Sequence, residues 1–332
     1  MSGSTQVAEQ VAGARPSTPG LRRYAVPVLL FAALALAPWL AVAAFGAEGY
    51  VLSLLSRVMI FAIAAIALDL ILGYGALVSF GHAAFLGIGA YSVGILSSHG
   101  IEDAFVQLAV TLGASALFAL VTGAISLRTK GVYFIMITLA FGQMLFFLAT
   151  SLAAYGGDDG LTLANKSLVF GQKLIEGDRV FYYVVFGCLL GVYLLGRSIV
   201  ASRFGRVLRG TRENATRMEA IGYHPFRYQL TAYVISGMMA GLAGFLLANQ
   251  AEFVSPAYMT WQRSGELIFM VILGGMASLH GAVLGAAAFL LLEEYLAGWT
   301  EHWKMIFGPL LILVVLFVRG GIMGLIGRGR DG

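Results

Sequence analysis

The sequence predicts an all-α integral membrane protein, a polytopic helical bundle of about ten transmembrane segments, some short or glycine-broken. Three observations carry this reading. Of 332 residues, 59% are hydrophobic and only 11% charged, against about 25% charged in soluble domains; mean hydropathy is +0.85. The apolar residues gather in long runs divided by turns, without the roughly ten-residue alternation of barrel strands. The charges between successive runs alternate in sign along the chain.

Residues 1–20 are small and polar, with Pro16, Pro19 and Gly20, and read as a disordered cytoplasmic tail. A transmembrane domain spans 21–320, and 321–332 form a cytoplasmic C-terminal tail. The first apolar run is Tyr24 to Phe45. Its Ala41-Val42-Ala43 resembles a cleavage site, but the run exceeds the roughly 7–15 residues of a signal core, which favours a retained helix. Tyr50–Leu72, Val78–Ser97, Ala104–Leu127, Val132–Leu152 and Val180–Ile199 follow, then Tyr228–Ala248, Glu266–Ala277, Ala282–Tyr295 and Met305–Val318. Glu266–Ala277 and Ala282–Tyr295 are short for a core about 30 Å thick and are candidates for broken or re-entrant helices.

Arg22, Arg23, Arg128, Lys130, the block Arg197–Arg227, Arg319, Arg328 and Arg330 share one side. Glu48, Glu102, Asp103, Asp158, Asp159, Glu176, Asp178, Glu252 and Glu301 share the other. The basic side marks the cytoplasm and puts both termini there. The long external loop 153–179 carries Gly156-Gly157-Asp158-Asp159-Gly160. It is either simply solvated or a surface for an extracytoplasmic partner.

Chemistry of the usual catalytic kinds is not written in the chain. No Walker A loop, H-E-x-x-H or dinucleotide fingerprint occurs, and the five histidines (82, 99, 224, 280, 302) lack metal-ligand spacing. The single cysteine, Cys188, excludes an internal disulfide and a Cys-based metal centre. The expectation is a non-enzyme with no cofactor and no metal; if ATP drives it, another chain binds the nucleotide.

Three stretches stand out. The segment Arg197–Arg227 holds seven arginines of the 21 Lys and Arg in the protein. Within it, Thr211–Ile221 has helical spacing, Gly222 reads as a stop and Pro225 blocks continuation. A capped charged helix between membrane runs is either an inert positive-inside loop or a docking element. Residues 73–91 read G-Y-G-A-L-V-S-F-G-H-A-A-F-L-G-I-G-A-Y, with Ser79, Gly81, His82, Gly87 and Gly89 as candidates for a translocation path. His82 either caps a helix start by bonding to nearby backbone or lines a broken helix. Residues 273–285, L-G-G-M-A-S-L-H-G-A-V-L-G, supply Gly274, Gly275 and Ser278 in a like context. Tight helix packing explains the glycines of both stretches equally well. Asp69 and Arg57 lie within one run, about 18 Å apart on a helix, so each needs another partner. Glu293 and Glu294 are expected at the outer interface in water, and no carboxylate cluster for ion coupling is apparent.

Together, 73–91, 212–222 and 273–285 resemble the branched-chain amino acid permeases of ATP-binding cassette importers, the LivH/LivM family, and more the LivM branch. The resemblance covers roughly residues 50–320. It implies a bacterial plasma (inner) membrane subunit that pairs with a second, related permease, two cytoplasmic ATPases and an extracytoplasmic solute-binding protein. In such importers the stretch matching 212–222 resembles a coupling helix docked on the ATPase, within a cytoplasmic loop 200–227. Carried over, Arg212, Glu213, Asn214, Arg217, Glu219, Ala220 and Gly222 form the coupling set, and Ile221 departs from the second alanine of the E-A-A…G signature. Urea or a short amide is the alternative cargo; an ion-coupled secondary transporter is the alternative class.

Overall fold

A computed structural model describes residues 22–45, 48–299, 302, 305–309, 312 and 320–328. Its helices are α1 (Arg22–Phe45), α2 (Glu48–Leu72), α3 (His82–Ser98), α4 (Ala104–Ser126) and α5 (Val132–Ser151). They continue with α6 (Asp178–Ala201), α7 (Arg203–Glu213), α8 (Ala215–Ala220), α9 (Pro225–Ala251), α10 (Trp261–Gly274), α11 (Leu279–Ala297) and α12 (Gly321–Arg328). Strands β1 (Leu161–Thr162) and β2 (Phe253–Val254) form one short antiparallel pair.

Among the described residues, six helices are long and apolar enough to cross a membrane: α2, α4, α5, α6, α9 and α11. The protein is a multi-pass helical membrane protein. The remaining expected crossings are met differently. α3 and α10 span about 25 Å and 21 Å at 1.5 Å per residue, less than the hydrocarbon core. Irregular backbone completes each: 73–81 before α3, and Ser255–Thr260, with its 3₁₀ turn Pro256–Met259, before α10. The run Met305–Val318 lies mostly outside the described residues, as does the tail 1–20.

Irregular backbone at membrane depth must be satisfied by protein. Here Leu77 N–H donates to the Ile71 carbonyl at 3.0 Å. Phe80 N–H reaches Thr138 Oγ1 at 3.3 Å, and Ala83 N–H reaches Ser264 Oγ at 3.0 Å. The α2–α3 connection is thus held by α5 and α10, far along the chain.

α9 is the central post, packed most extensively on α3, then on α4 and α2. Its approach to α3 is a backbone contact. A Cβ at Gly89 would strike the Gly241 carbonyl and the Phe245 amide, and one at Gly244 would strike the Leu86 carbonyl. In lipid, such small-residue crossings supply the association that a hydrophobic effect cannot.

The structure corrects the readings of Thr211–Ile221 and of Glu293 and Glu294, and adds detail to the tail 321–332 and the loop 153–179. The segment Thr211–Ile221 is two helices rather than one, because Asn214 leaves helical backbone (φ −159°, ψ 100°) and caps α8. The tail 321–332 is helical over Gly321–Arg328, and Gly321 lies against Leu273–Gly275. Neither Glu293 nor Glu294 is simply solvated. Glu293 pairs with Arg57 at 3.7 Å, and Glu294 accepts from the Tyr50 hydroxyl at 2.5 Å. The external loop 153–179 is anchored: Asn249 Oδ1 accepts from Ser167 N–H and Oγ, both at 2.7 Å, and Lys166 lies 3.8 Å from both Asp178 and Glu252. Asp158 and Asp159 remain exposed on it.

Candidate functional site

The basic end of the bundle carries the residues that the resemblance assigns to a coupling set. α7 begins at Ser202, whose hydroxyl accepts from Gly205 N–H, and buries Val207, Leu208 and Thr211. Asn214 then ends α7 and starts α8, its Oδ1 accepting from Arg217 N–H at 2.9 Å. Asparagine is among the best N-caps, so the break was legible in R-E-N-A-T-R. α8 stops in a Schellman motif. Gly222, at φ +90°, donates to the Glu219 carbonyl at 2.9 Å, and Tyr223 N–H to Met218 at 3.0 Å. Pro225 opens α9 at its first turn, where a missing N–H costs nothing.

All seven residues of the set, Arg212, Glu213, Asn214, Arg217, Glu219, Ala220 and Gly222, are exposed. Arg212 and Glu219 line a cavity of about 340 Å³ beneath Gly75–Val78, shared with Lys130, Phe226 and Gln229. Arg212 also turns back into the protein, its Nη1 donating to the Gly73 carbonyl. Ile221, 63% exposed, stands beside exposed Tyr223 and Phe226. The apolar tip is a feature that charge counting alone does not find.

Gly73 is where the two glycine stretches meet. The carbonyl of Asp69 accepts from Gly73 N–H at 2.8 Å, while its carboxylate Oδ1 accepts from Ala277 N–H at 2.8 Å. A Cβ at Gly73 would collide with Asp69 and with the Ala277 amide. Asp69 is fully buried, so the partner that its position demanded is the second glycine stretch. Ser278 caps α11, its Oγ accepting from Gly281 N–H at 3.2 Å. Gly274, Gly281 and Gly285 let α10 and α11 touch through backbone. Gly275, at φ +111°, makes the turn between them, with its Cα facing the Gly320 carbonyl.

The candidate path residues of the first stretch lie in the packed interior. Ser79, Gly81, His82, Gly87 and Gly89 are buried; Gly81 abuts Thr138 and Gly87 abuts Met259. His82 begins α3 with its Nε2 3.1 Å from Ser236 Oγ. The Ser236 hydroxyl donates to the Ala67 carbonyl. With that proton committed, His82 Nε2 is the donor, the ring is the Nε2–H tautomer and Nδ1 has no partner. His82 therefore ties α3 to α9 and, through Ser236, to α2. The start of α3 itself has no side-chain cap.

No metal-binding group of three or more His, Cys, Asp or Glu occurs among the described residues. Residues 50–316 match the family described as branched-chain amino acid transport system / permease component. The chain belongs to this family. It is a transport permease component, in keeping with its long apolar helices. The high-affinity branched-chain amino acid permease protein LivM of Salmonella typhimurium is 27% identical over 289 residues, covering 80% of this chain and 68% of its own length. The probable LivM permease of Methanocaldococcus jannaschii is 23% identical over 312 residues, covering 79% and 89%. The LivH permease protein of Salmonella typhimurium is 28% identical over 170 residues, covering 50% and 53%. No solved structure matches.

Proposed function

We propose that this branched-chain amino acid permease is one of two membrane subunits of an ATP-binding cassette importer for hydrophobic amino acids, and that α8 is its ATPase-coupling helix. The observation that carries the coupling reading is the bond from Arg212 to the Gly73 carbonyl. It joins the exposed charged segment to the α2–α3 connection, and Asp69 extends that link to the α10–α11 turn. A partner ATPase that displaces α8 thereby moves backbone at both glycine stretches.

The tip suits a soluble partner. Arg217 and Glu219 supply charges of both signs for ion pairs, and Ile221 and Tyr223 supply apolar contact. Exposed charges give specificity and association rate, while the apolar residues supply binding energy. Similarity to both LivM and LivH permeases supports a second, related permease subunit. An extracytoplasmic binding protein meets the acidic end, where Asp158 and Asp159 are exposed.

The test is leucine uptake into ATP-loaded proteoliposomes holding both permeases and both ATPases, with binding protein supplied outside. Reversing both charges, Arg217→Glu with Glu219→Arg, or deleting 212–222, is expected to reduce uptake to background. Uptake unaffected by either change would refute coupling through this segment.

A further inference from the structure

The fold gathers four charges that the sequence scatters: Arg57 on α2, Arg263 and Glu266 on α10, and Glu293 on α11. Arg263 Nη1 lies 2.6 Å from Glu266 Oε2, and Arg57 Nη2 lies 3.7 Å from Glu293 Oε1. Arg263 also sits over the Phe61 ring, 5.9 Å from its centroid.

Their depth follows from helix rise. At 1.5 Å per residue, Arg57 stands about 22 Å from the basic end of α2, Arg263 about 16 Å from that of α10, and Glu293 about 21 Å from that of α11. All lie within a core about 30 Å thick, in its outer half. None is sealed inside the chain, since side-chain exposure runs from 16% for Glu293 to 34% for Arg57. Charges at this depth do not face lipid; they face water or protein. The surface of α2, α10 and α11 that presents them fits the wall of a polar passage.

The two pairs differ. Arg263 and Glu266 are in direct contact and satisfy each other. Arg57 and Glu293 are beyond hydrogen-bond distance, and Glu293 Oε2 is buried without any partner. An open cation–anion pair has the polarity of an amino-acid backbone reversed: the guanidinium offers a fork to a carboxylate, and the free Oε2 accepts from an ammonium. The quartet sums to zero charge, and the neighbouring Glu294, already bonded to Tyr50, adds one negative charge at its edge.

We propose that Arg57 and Glu293 form a binding station for the zwitterionic head of an α-amino acid crossing the outer half of the membrane. Arg57 holds the α-carboxylate and Glu293 Oε2 the α-ammonium, while Arg263–Glu266 keeps the neighbouring wall polar and charge-balanced. This station rests on the importer reading given above.

The complete transporter is purified with Arg57→Gln and Glu293→Gln together, a neutral pair of nearly the same shape, and co-purification of all subunits serves as the assembly control. ATP-driven leucine uptake is expected to fall roughly tenfold or more, the scale of one lost charge-assisted hydrogen bond. Uptake within about twofold of the unmodified complex would overturn the proposal. A second measurement does not depend on transport. In a Cys188→Ala background, the Glu293→Cys variant of the assembled complex is treated with a membrane-impermeant cationic thiol reagent. Modification is expected, with loss of modification when leucine-loaded binding protein and ATP are added; absence of modification would overturn the station. Failure of the unmodified complex to take up leucine would instead overturn the importer reading, leaving the labelling result to judge the passage alone.

Discussion

Replacing Asp69 with alanine is expected to disorder the junction of the two glycine stretches and to abolish transport. The carboxylate is fully buried and accepts from the Ala277 amide at 2.8 Å. Hydrogen bonds to charged groups contribute about 1.5–3 kcal/mol, and a buried N–H left without an acceptor costs about 1–3 kcal/mol. A loss of about 3 kcal/mol shifts the balance between docked and undocked turns by about 150-fold. The expected readouts are a lowered thermal midpoint for the detergent-solubilised chain and leucine uptake at background. Asp69→Asn keeps one oxygen acceptor, so it is expected to recover most of the thermal stability. An Asp69→Ala protein as stable and active as the unmodified one would show that the Asp69–Ala277 contact holds nothing together.

Valine at Gly89 or Gly244 is expected to prevent assembly of the α3–α9 crossing. A Cβ at Gly89 meets the Gly241 carbonyl and Phe245 amide, and one at Gly244 meets the Leu86 carbonyl. Backbone cannot rotate away as a side chain can, so the cost sits at or above the usual 1–3 kcal/mol of overpacking. Gly113 on α4 is the control, since nothing lies within 4 Å of a Cβ there. Gly113→Val is expected to stay within about 0.5 kcal/mol of the unmodified chain. Size-exclusion profiles and thermal melts of the isolated subunit read all three variants.

The same residues show what the sequence discloses and what it hides. Runs such as Ala104–Leu127 and Val132–Leu152 coincide almost to the residue with α4 and α5, because hydropathy measures the solvent that a segment meets. The stop at Gly222 was equally legible, since only a positive φ closes that motif without strain. At Asn214 helical spacing continues unbroken, and only the residue's capping preference marks the break. Asp69 and Ala277 are 208 positions apart, and the partners Arg57 and Glu293 lie on different helices. Hydropathy can say that such a charge needs a partner, but not which helix supplies it. The glycines of 73–91 illustrate a further limit. Packing and path-lining require the same small residue, and only the close approach of α9 to α3 shows which use is made of Gly89.

Arg212, at the end of α7 where it meets α8, is proposed to transmit motion of α8 to the α2–α3 connection through the Gly73 carbonyl. The direct measurement is leucine imported per ATP hydrolysed, in proteoliposomes of the complete transporter carrying Arg212→Gln. The ATPases are expected to stay bound and to continue hydrolysing ATP while leucine imported per ATP falls by roughly tenfold or more, as the loss of one charge-assisted hydrogen bond implies. An unchanged ratio of leucine to ATP would contradict it.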